Sequence, residues 1–373
     1  MIYIFCTFIA FLYFLQIYFY NKYFKKILTF EKKFFFNKKV FISILVAVRN
    51  EEKNIFHLLN SIFKQNFPKK NFELILVDDF SEDKTSEIIE KFIEKTDNFL
   101  LLKLKNKSKN GKKYALKKAI KKSKGNLIIT TDADCIMGKN WLITIASYYE
   151  KFRPKMIVAP VLLKGEKTLF QKMQSLEFLS LIASSAGAIG MKKAIMCNGA
   201  NLIYEKKIIN DDFFFEKSVS GDDIFLMLNL KKKYKNQIHF LKSKDAIVFT
   251  KSQKTFSDFI EQRKRWTSKS KFYKDFDIIY VSILIFLKNF LLFFNFILSF
   301  FEKKYFFLFL ILFFTKSLID FIFLKRTSKF FEKEFEKRIF LILQFVYPFY
   351  IVFVAIYGNF ASFIWKKRKI NNN

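Results

Sequence analysis

The sequence predicts an α/β domain with a mostly parallel central sheet, flanked by apolar helices on its N- and C-terminal sides. Three observations carry this. Short β-branched runs (VFISILVAV, FELILVDD, NLIITTDAD, KMIVAPVLL) alternate with polar, lysine-rich helical stretches between residues 40 and 272. Residues 1–20 carry no charge, and three more apolar blocks follow at 278–301, 305–324 and 339–365. Carboxylates gather where two of the strand-like runs end, which is where open α/β sheets bind ligands.

Composition narrows the class. The 373 residues are 51% hydrophobic and 20% aromatic, too apolar for a disordered chain and enough for one sizeable domain plus membrane segments. The net charge of +33 would raise nucleic acid as a partner, but the basic residues are nearly all lysine and are spread through the chain. Lys, Phe, Ile and Asn share A/T-rich codons, so no nucleic acid partner is expected; anionic lipid is the more natural counter-charge. Cys6, Cys135 and Cys197 are too few and too irregular for a disulfide framework or zinc site, which places the soluble part in a reducing compartment. With only His57 and His239, a histidine zinc site or a histidine-containing triad is not expected.

Along the chain, residues 1–20 are just long enough to span a bilayer, which takes about 20 residues. They lack a basic leader and a small-residue cleavage site, so they read as an uncleaved anchor. Residues 21–39 form a basic-aromatic segment suited to headgroups on the cytoplasmic side. The α/β domain is expected at 40–272, a membrane region of about three segments at 278–365 and a basic tail at 366–373. Lys288, Lys316 and Asp320 interrupt the first two segments, and at about 2.5–3.5 kcal/mol each such charges call for a protein- or water-lined face. One block can also be read as re-entrant or interfacial. The positive-inside rule supports that alternative, because with the lysine-rich domain inside, four spans would leave residues 366–369 (KKRK) outside.

The chemistry concentrates in a few short stretches. In IITTDADC, Asp132 and Asp134 follow a strand-like run two residues apart, so both can project to one side and offer hard oxygens to magnesium or manganese and a diphosphate. Alone, such a pair reads equally well as a turn cap. ELILVDDFSEDKT repeats the device: Asp78 and Asp79 close a strand, and Ser81, Asp83 and Thr85 offer caps. A carboxylate there can accept from a nucleobase or ribose. KNGKKYAL sets Lys112 at a helix start, able to meet phosphate oxygens, although neither G-x-x-x-x-G-K-[ST] nor G-x-G-x-x-G is present. SGDDIFLML supplies Asp222 and Asp223, either as helix caps or with one as a general base. QRKRW supplies Gln262 and Arg265, suited to a diphosphate, and Trp266, a flat face for a sugar ring, or all three as parts of an amphipathic helix.

The ordered series VAVRNEEKNI, ILVDDFSEDKT, GKKYAL, TDADC, NGANLIY, SGDDIFLML and QRKRW, followed by apolar blocks, resembles the membrane-bound family 2 glycosyltransferases. It is most similar to the Q-x-x-R-W subgroup of cellulose, chitin, hyaluronan and poly-N-acetylglucosamine synthases and ceramide glucosyltransferases. The resemblance runs from Phe41 to Trp266 and extends to the membrane layout. It implies a GT-A fold and an inverting transfer from a UDP- or GDP-sugar to a lipid, lipid-linked or saccharide acceptor, with a divalent metal, Mg or Mn. Asp79, with Asp78 beside it, matches the nucleoside-recognising carboxylate. Asp132 and Asp134 match the D-x-D pair, the latter on the metal. Asp223, neighboured by Asp222, matches the base; Gln262 and Arg265 match the diphosphate holders, and Trp266 the acceptor floor. Asp222 stands where the family commonly has Glu, and Lys117 where many members have Asn. The shorter membrane region favours single transfer over a processive synthase. A non-catalytic scaffold on the same fold is the reading from a different class. The expected location is a bacterial inner membrane with the catalytic domain in the cytoplasm.

Overall fold

The computed structural model describes residues 2–31, 40–105, 111–209, 221–360, 363–365 and 368–370. The 32–39 part of the basic juxtamembrane segment and most of the basic tail at 366–373 lie outside the described residues. In chain order the elements are α1 (Ile2–Lys26), β1 (Ile42–Val48), α2 (Ile55–Phe63), β2 (Phe72–Asp78), α3 (Thr85–Ile93), β3 (Phe99–Lys103), α4 (Lys112–Lys122), β4 (Leu127–Thr130), β5 (Ile136–Met137), α5 (Trp141–Phe152), β6 (Met156–Val158) and β7 (Val161–Leu163). There follow α6 (Leu169–Gly190), β8 (Leu202–Glu205), α7 (Asp222–Lys233), β9 (Ile238–Phe240), β10 (Val248–Thr250), α8 (Phe256–Thr267), α9 (Phe276–Leu298), α10 (Lys303–Phe330), α11 (Lys337–Phe360), β11 (Phe363–Trp365) and β12 (Arg368–Ile370).

These elements form two compact units. One comprises 27–164 and 196–251, the other 1–26, 165–195 and 252–373. The structure thus divides the chain otherwise than at 40 and 272. The reason is α6, which packs on α1 so closely that a Cβ at Gly187 would lie 2.7 Å from Tyr20 Cα.

The α/β unit is built on a seven-stranded sheet in the order β3-β2-β1-β4-β8-β6-β9. β1 pairs in parallel with β2 and β4, β2 with β3, and β6 with β9, while β8 runs antiparallel between β4 and β6. The continuous apolar runs of β1 and β2 follow from burial on both faces. The register sets Val48 beside Asp78, and Leu45 beside Thr130, so β1, β2 and β4 deliver their C-terminal ends to one edge. A small second sheet, β5-β10-β7, closes beside it. Cys6, Cys135 and Cys197 are free thiols, each buried.

Among the described residues of the helical unit, four helices are long and apolar enough to cross a membrane by length and composition: Ile2–Lys26, Phe276–Leu298, Lys303–Phe330 and Lys337–Gly358. The last three are continuous helices, the third with Pro348 inside it. The helix of the third block ends at Phe360 rather than 365, and Phe363–Trp365 pairs antiparallel with Arg368–Ile370. The interrupting charges face the bundle interior. Lys316 Nζ donates to Asp320 Oδ2 (2.7 Å) and Gln344 Oε1 (2.6 Å), and Tyr13 Oη donates to Asp320 Oδ1 (2.8 Å). Lys288 is fully buried.

Candidate functional site

Two adjacent carboxylates close β2, and the turn separates them. Asp78 accepts from Ser81 N (3.2 Å), Ser86 Oγ (2.9 Å) and Ser81 Oγ, so its carboxylate is engaged in leading the chain into α3. Asp79 turns the other way, and its Oδ1 accepts from Gly111 N (3.2 Å) just before α4. Gly111 sits at φ +96°, a conformation that a side chain would strain. Arg49, at the end of β1, donates through Nη1 to Asp79 O (2.7 Å) and Phe80 O (3.0 Å) and holds Phe80 at φ 59°. Sequence reasoning missed Arg49; its place at the end of a strand-like run was the available signal.

The D-x-D pair follows β4. Lys112, the first residue of α4, forms an ion pair with Asp132 Oδ1. Asp134 Oδ2 accepts from Thr250 Oγ1 (2.9 Å) at the end of β10. Burial, followed by the negative charges of Asp132 and Glu51, pushes the Asp134 carboxyl above the usual carboxylate range. Glu51 is a third carboxylate that the sequence reading passed over; its Oε2 accepts from Asn54 Nδ2 (2.7 Å).

This donor set fits a divalent cation. Hard carboxylate oxygens are its natural ligands, and a half-buried carboxyl crowded by like charges is the group a cation would relieve. Among the described residues no three His, Cys, Asp or Glu side chains form a ready cage, so such an ion would complete its shell from water or a ligand's oxygens.

Asp223 lies in the first turn of α7, where the helix dipole favours a carboxylate. Its Oδ2 accepts from Gly199 N and its Oδ1 from Ile224 N, both at 2.9 Å. Gly199 O in turn accepts from Thr130 Oγ1 (2.8 Å), at the end of β4. One glycine therefore ties Asp223 to the strand that carries Asp132 and Asp134. The loop is fixed by Asn201, fully buried, whose Nδ2 donates to Pro160 O and Ala246 O (2.8 Å each) and whose Oδ1 accepts from Trp141 Nε1 (3.1 Å). Asn201 too escaped the sequence reading, although it lies in the NGANLIY stretch. Asp222 is the neighbouring residue on α7; the serines that precede Gly221 lie outside the described residues.

The α/β unit thus gathers Asp79, Lys112, Asp132, Asp134 and Asp223 at one sheet edge, with Asp78 beneath them in the turn. Gln262, Arg265 and Trp266 belong to the helical unit, all half-buried on α8. Between them Arg263 is buried and forms an ion pair with Glu177 of α6.

Residues 43–213 match the family model described as glycosyl transferase family 2. The chain is similar, at 26% identity over 199 residues (52% of this chain, 62% of the relative), to the dolichyl N-acetyl-alpha-D-glucosaminyl phosphate 3-beta-D-2,3-diacetamido-2,3-dideoxy-beta-D-glucuronosyltransferase of Methanococcus voltae. It is 25% identical over 233 residues (60% of this chain, 53% of the relative) to the poly-beta-1,6-N-acetyl-D-glucosamine synthase of Staphylococcus epidermidis. The chain therefore spans less than two thirds of either relative's own length. Among solved structures, the mannosyltransferase of Pyrobaculum calidifontis in complex with GDP-Man and Mn2+ superposes with a TM-score of 0.53 at 14% identity, covering 72% of this chain and 73% of that one. A likeness at this identity speaks to the fold, which is GT-A.

Proposed function

We propose, from the match of residues 43–213 to the glycosyl transferase family 2 model, that the chain is an inverting enzyme of that family moving a sugar from a UDP- or GDP-sugar to a lipid, lipid-linked or saccharide acceptor at a membrane. The observation that carries this reading is Asp132 and Asp134 at the end of β4, linked through Thr130 and Gly199 to Asp223. A divalent ion held by Asp132 and Asp134 would supply charge neutralisation at the nucleotide diphosphate.

The chain's own residues do the rest. Asp79, at the edge of the sheet, is placed to accept from the nucleoside, and Asp78 holds the turn that aims it. Lys112 presents its ammonium at the start of α4, where phosphate oxygens are favoured. Asp223 takes the acceptor hydroxyl proton as that oxygen bonds to the anomeric carbon from the face opposite the departing diphosphate. One carbon–oxygen bond forms and one breaks, the configuration inverts, and no covalent enzyme intermediate is needed. Gln262 and Arg265 hold the diphosphate, and Trp266 floors the acceptor site. Asp222 flanks the base.

The location that fits this chemistry is a bacterial inner membrane, spanned by α1 and α9–α11, with the α/β unit in the cytoplasm where nucleotide sugars are made. A processive polysaccharide synthase is the second reading, favoured by the likeness to the poly-beta-1,6-N-acetyl-D-glucosamine synthase; product length separates the two.

The test is calorimetric titration of UDP and GDP into the detergent-purified protein, with and without manganese, for wild type and Asp134→Ala. Manganese-dependent binding of one nucleotide, lost in the variant, is the expected result. A folded wild type that binds neither nucleotide would overturn the reading and leave a scaffold on this fold.

A further inference from the structure

A closely held side chain of α8 is one that the Q-x-x-R-W pattern leaves variable. Arg263 fills the first x, and it is 4% exposed. Its Nε donates to Tyr350 Oη (2.7 Å), its Nη2 pairs with Glu177, itself buried, and its Nη1 donates to Gln262 Oε1 (2.9 Å). The guanidinium plane also lies 4.2 Å from the Trp266 ring centroid and 4.4 Å from that of Phe259. Residues 259, 262, 263 and 266 share one helix face by their three- and four-residue spacing, so a single planar group can touch all of them. Burial alone would weaken the charge on Arg263, but Glu177 and Tyr350 outweigh it and hold the guanidinium ionised.

The contact with Gln262 has a directional consequence. An amide offers one acceptor end and one donor end. Arg263 occupies the acceptor end, and among the described residues Gln262 Nε2 donates to no protein group. The free end is therefore a donor, the polarity an anionic diphosphate requires. Trp266 is held in the same way, one face on the guanidinium and its ring centroid 6.1 Å from that of Phe178, the two rings tilted by 39°.

We propose that Arg263 is a positioning residue, anchored by Glu177 and Tyr350, that turns the Gln262 amide donor-outward and sets the Trp266 ring for the transfer reaction. This rests on the transferase reading given above. It accounts for a buried, multiply bonded guanidinium at a position whose neighbours, not itself, meet the substrates.

The experiment uses the full chain in detergent and compares wild type with Arg263→Lys and Tyr350→Phe. Lysine keeps a positive charge near Glu177 but has no planar fork, so it cannot serve Gln262, Tyr350 and the indole together. Arg263→Lys is expected to lower kcat roughly tenfold or more at near-unchanged thermal midpoint, and Tyr350→Phe, which removes the Tyr350 hydroxyl but leaves the guanidinium on Gln262 and the indole, only a few-fold. In a Trp365→Phe background the fluorophores are Trp266 and fully buried Trp141, so iodide quenching reports on Trp266. The quenching constant should rise about twofold in Arg263→Lys as the indole loses its cover. Wild-type kcat and KM in Arg263→Lys overturn the proposal, as does altered quenching without altered kcat, which would mark a merely structural contact. A wild type that binds no nucleotide instead overturns the transferase reading, and this inference with it.

Discussion

Asn201→Ala tests whether the loop that carries Gly199 is held by the hydrogen bonds described above. The side chain is fully buried and makes three bonds, at 2.8, 2.8 and 3.1 Å. Truncation leaves the Trp141 indole N–H and the Ala246 carbonyl unsatisfied, while the Pro160 carbonyl keeps its bond from Val248 N (3.0 Å). Each such group costs about 1–3 kcal/mol, with carbonyls at the lower end, so roughly 2–4 kcal/mol is expected in all. That is a large share of the ~5–15 kcal/mol that stabilises a typical domain. Hydrogen exchange in peptides covering β4 and β8 reads this unit directly, and protection should fall by about 30- to 10³-fold. Asn201→Asp separates bonding from volume: the shape is kept, but an anion would face two carbonyls, so the loss should be at least as large. Turnover should fall in both variants, because Gly199 would no longer present its N–H to Asp223. Protection within about threefold of wild type in Asn201→Ala would refute the reasoning, since two unsatisfied buried groups cost more than that.

Two further outcomes follow from named contacts. Asp223→Asn should lower kcat by roughly 10²–10⁴ while leaving nucleotide binding intact, measured by steady-state kinetics beside calorimetry; unchanged kcat would remove Asp223 from the role of base. Glu205 is nearly fully buried, and although burial pushes its carboxyl up, Lys155 (2.8 Å) and Tyr149 (2.9 Å) outweigh that and hold it below its ordinary value. A depressed folded value adds stability above the unfolded value of about 4.3, and this is lost as pH falls through the folded value. Denaturant titrations from neutral pH down to about pH 3 should therefore show a flatter acid limb in Glu205→Gln; identical limbs would contradict the assignment.

What the sequence could disclose depended on how far apart the interacting residues lie. β1, β2 and β4 were legible because burial on both faces leaves unbroken apolar runs, and the carboxylates after them were legible because they follow directly. The roles of Asp78 and Asp79 were not separable, since Ser81 and Ser86 claim one and Gly111, 32 residues on, claims the other. Arg49 and Glu51 sit in a polar turn whose composition resembles any other, and only folding brings them to the ends of β2 and β4.

The helical unit shows the same limit at longer range. α6 has strand-rich neighbours in sequence and was read with them, yet its place is decided by the absence of a side chain at Gly187, where Tyr20 of α1 fits. Lys316 and Asp320 looked costly as single residues in apolar blocks. They cease to be so once Tyr13 and Gln344, from helices at the two ends of the chain, complete their bonds. A charge inside an apolar helix therefore says that a partner must exist, while the fold alone says which. The same logic applies to Arg263: a buried guanidinium requires an anion, and Glu177, 86 residues earlier, is the one that α6 brings to it.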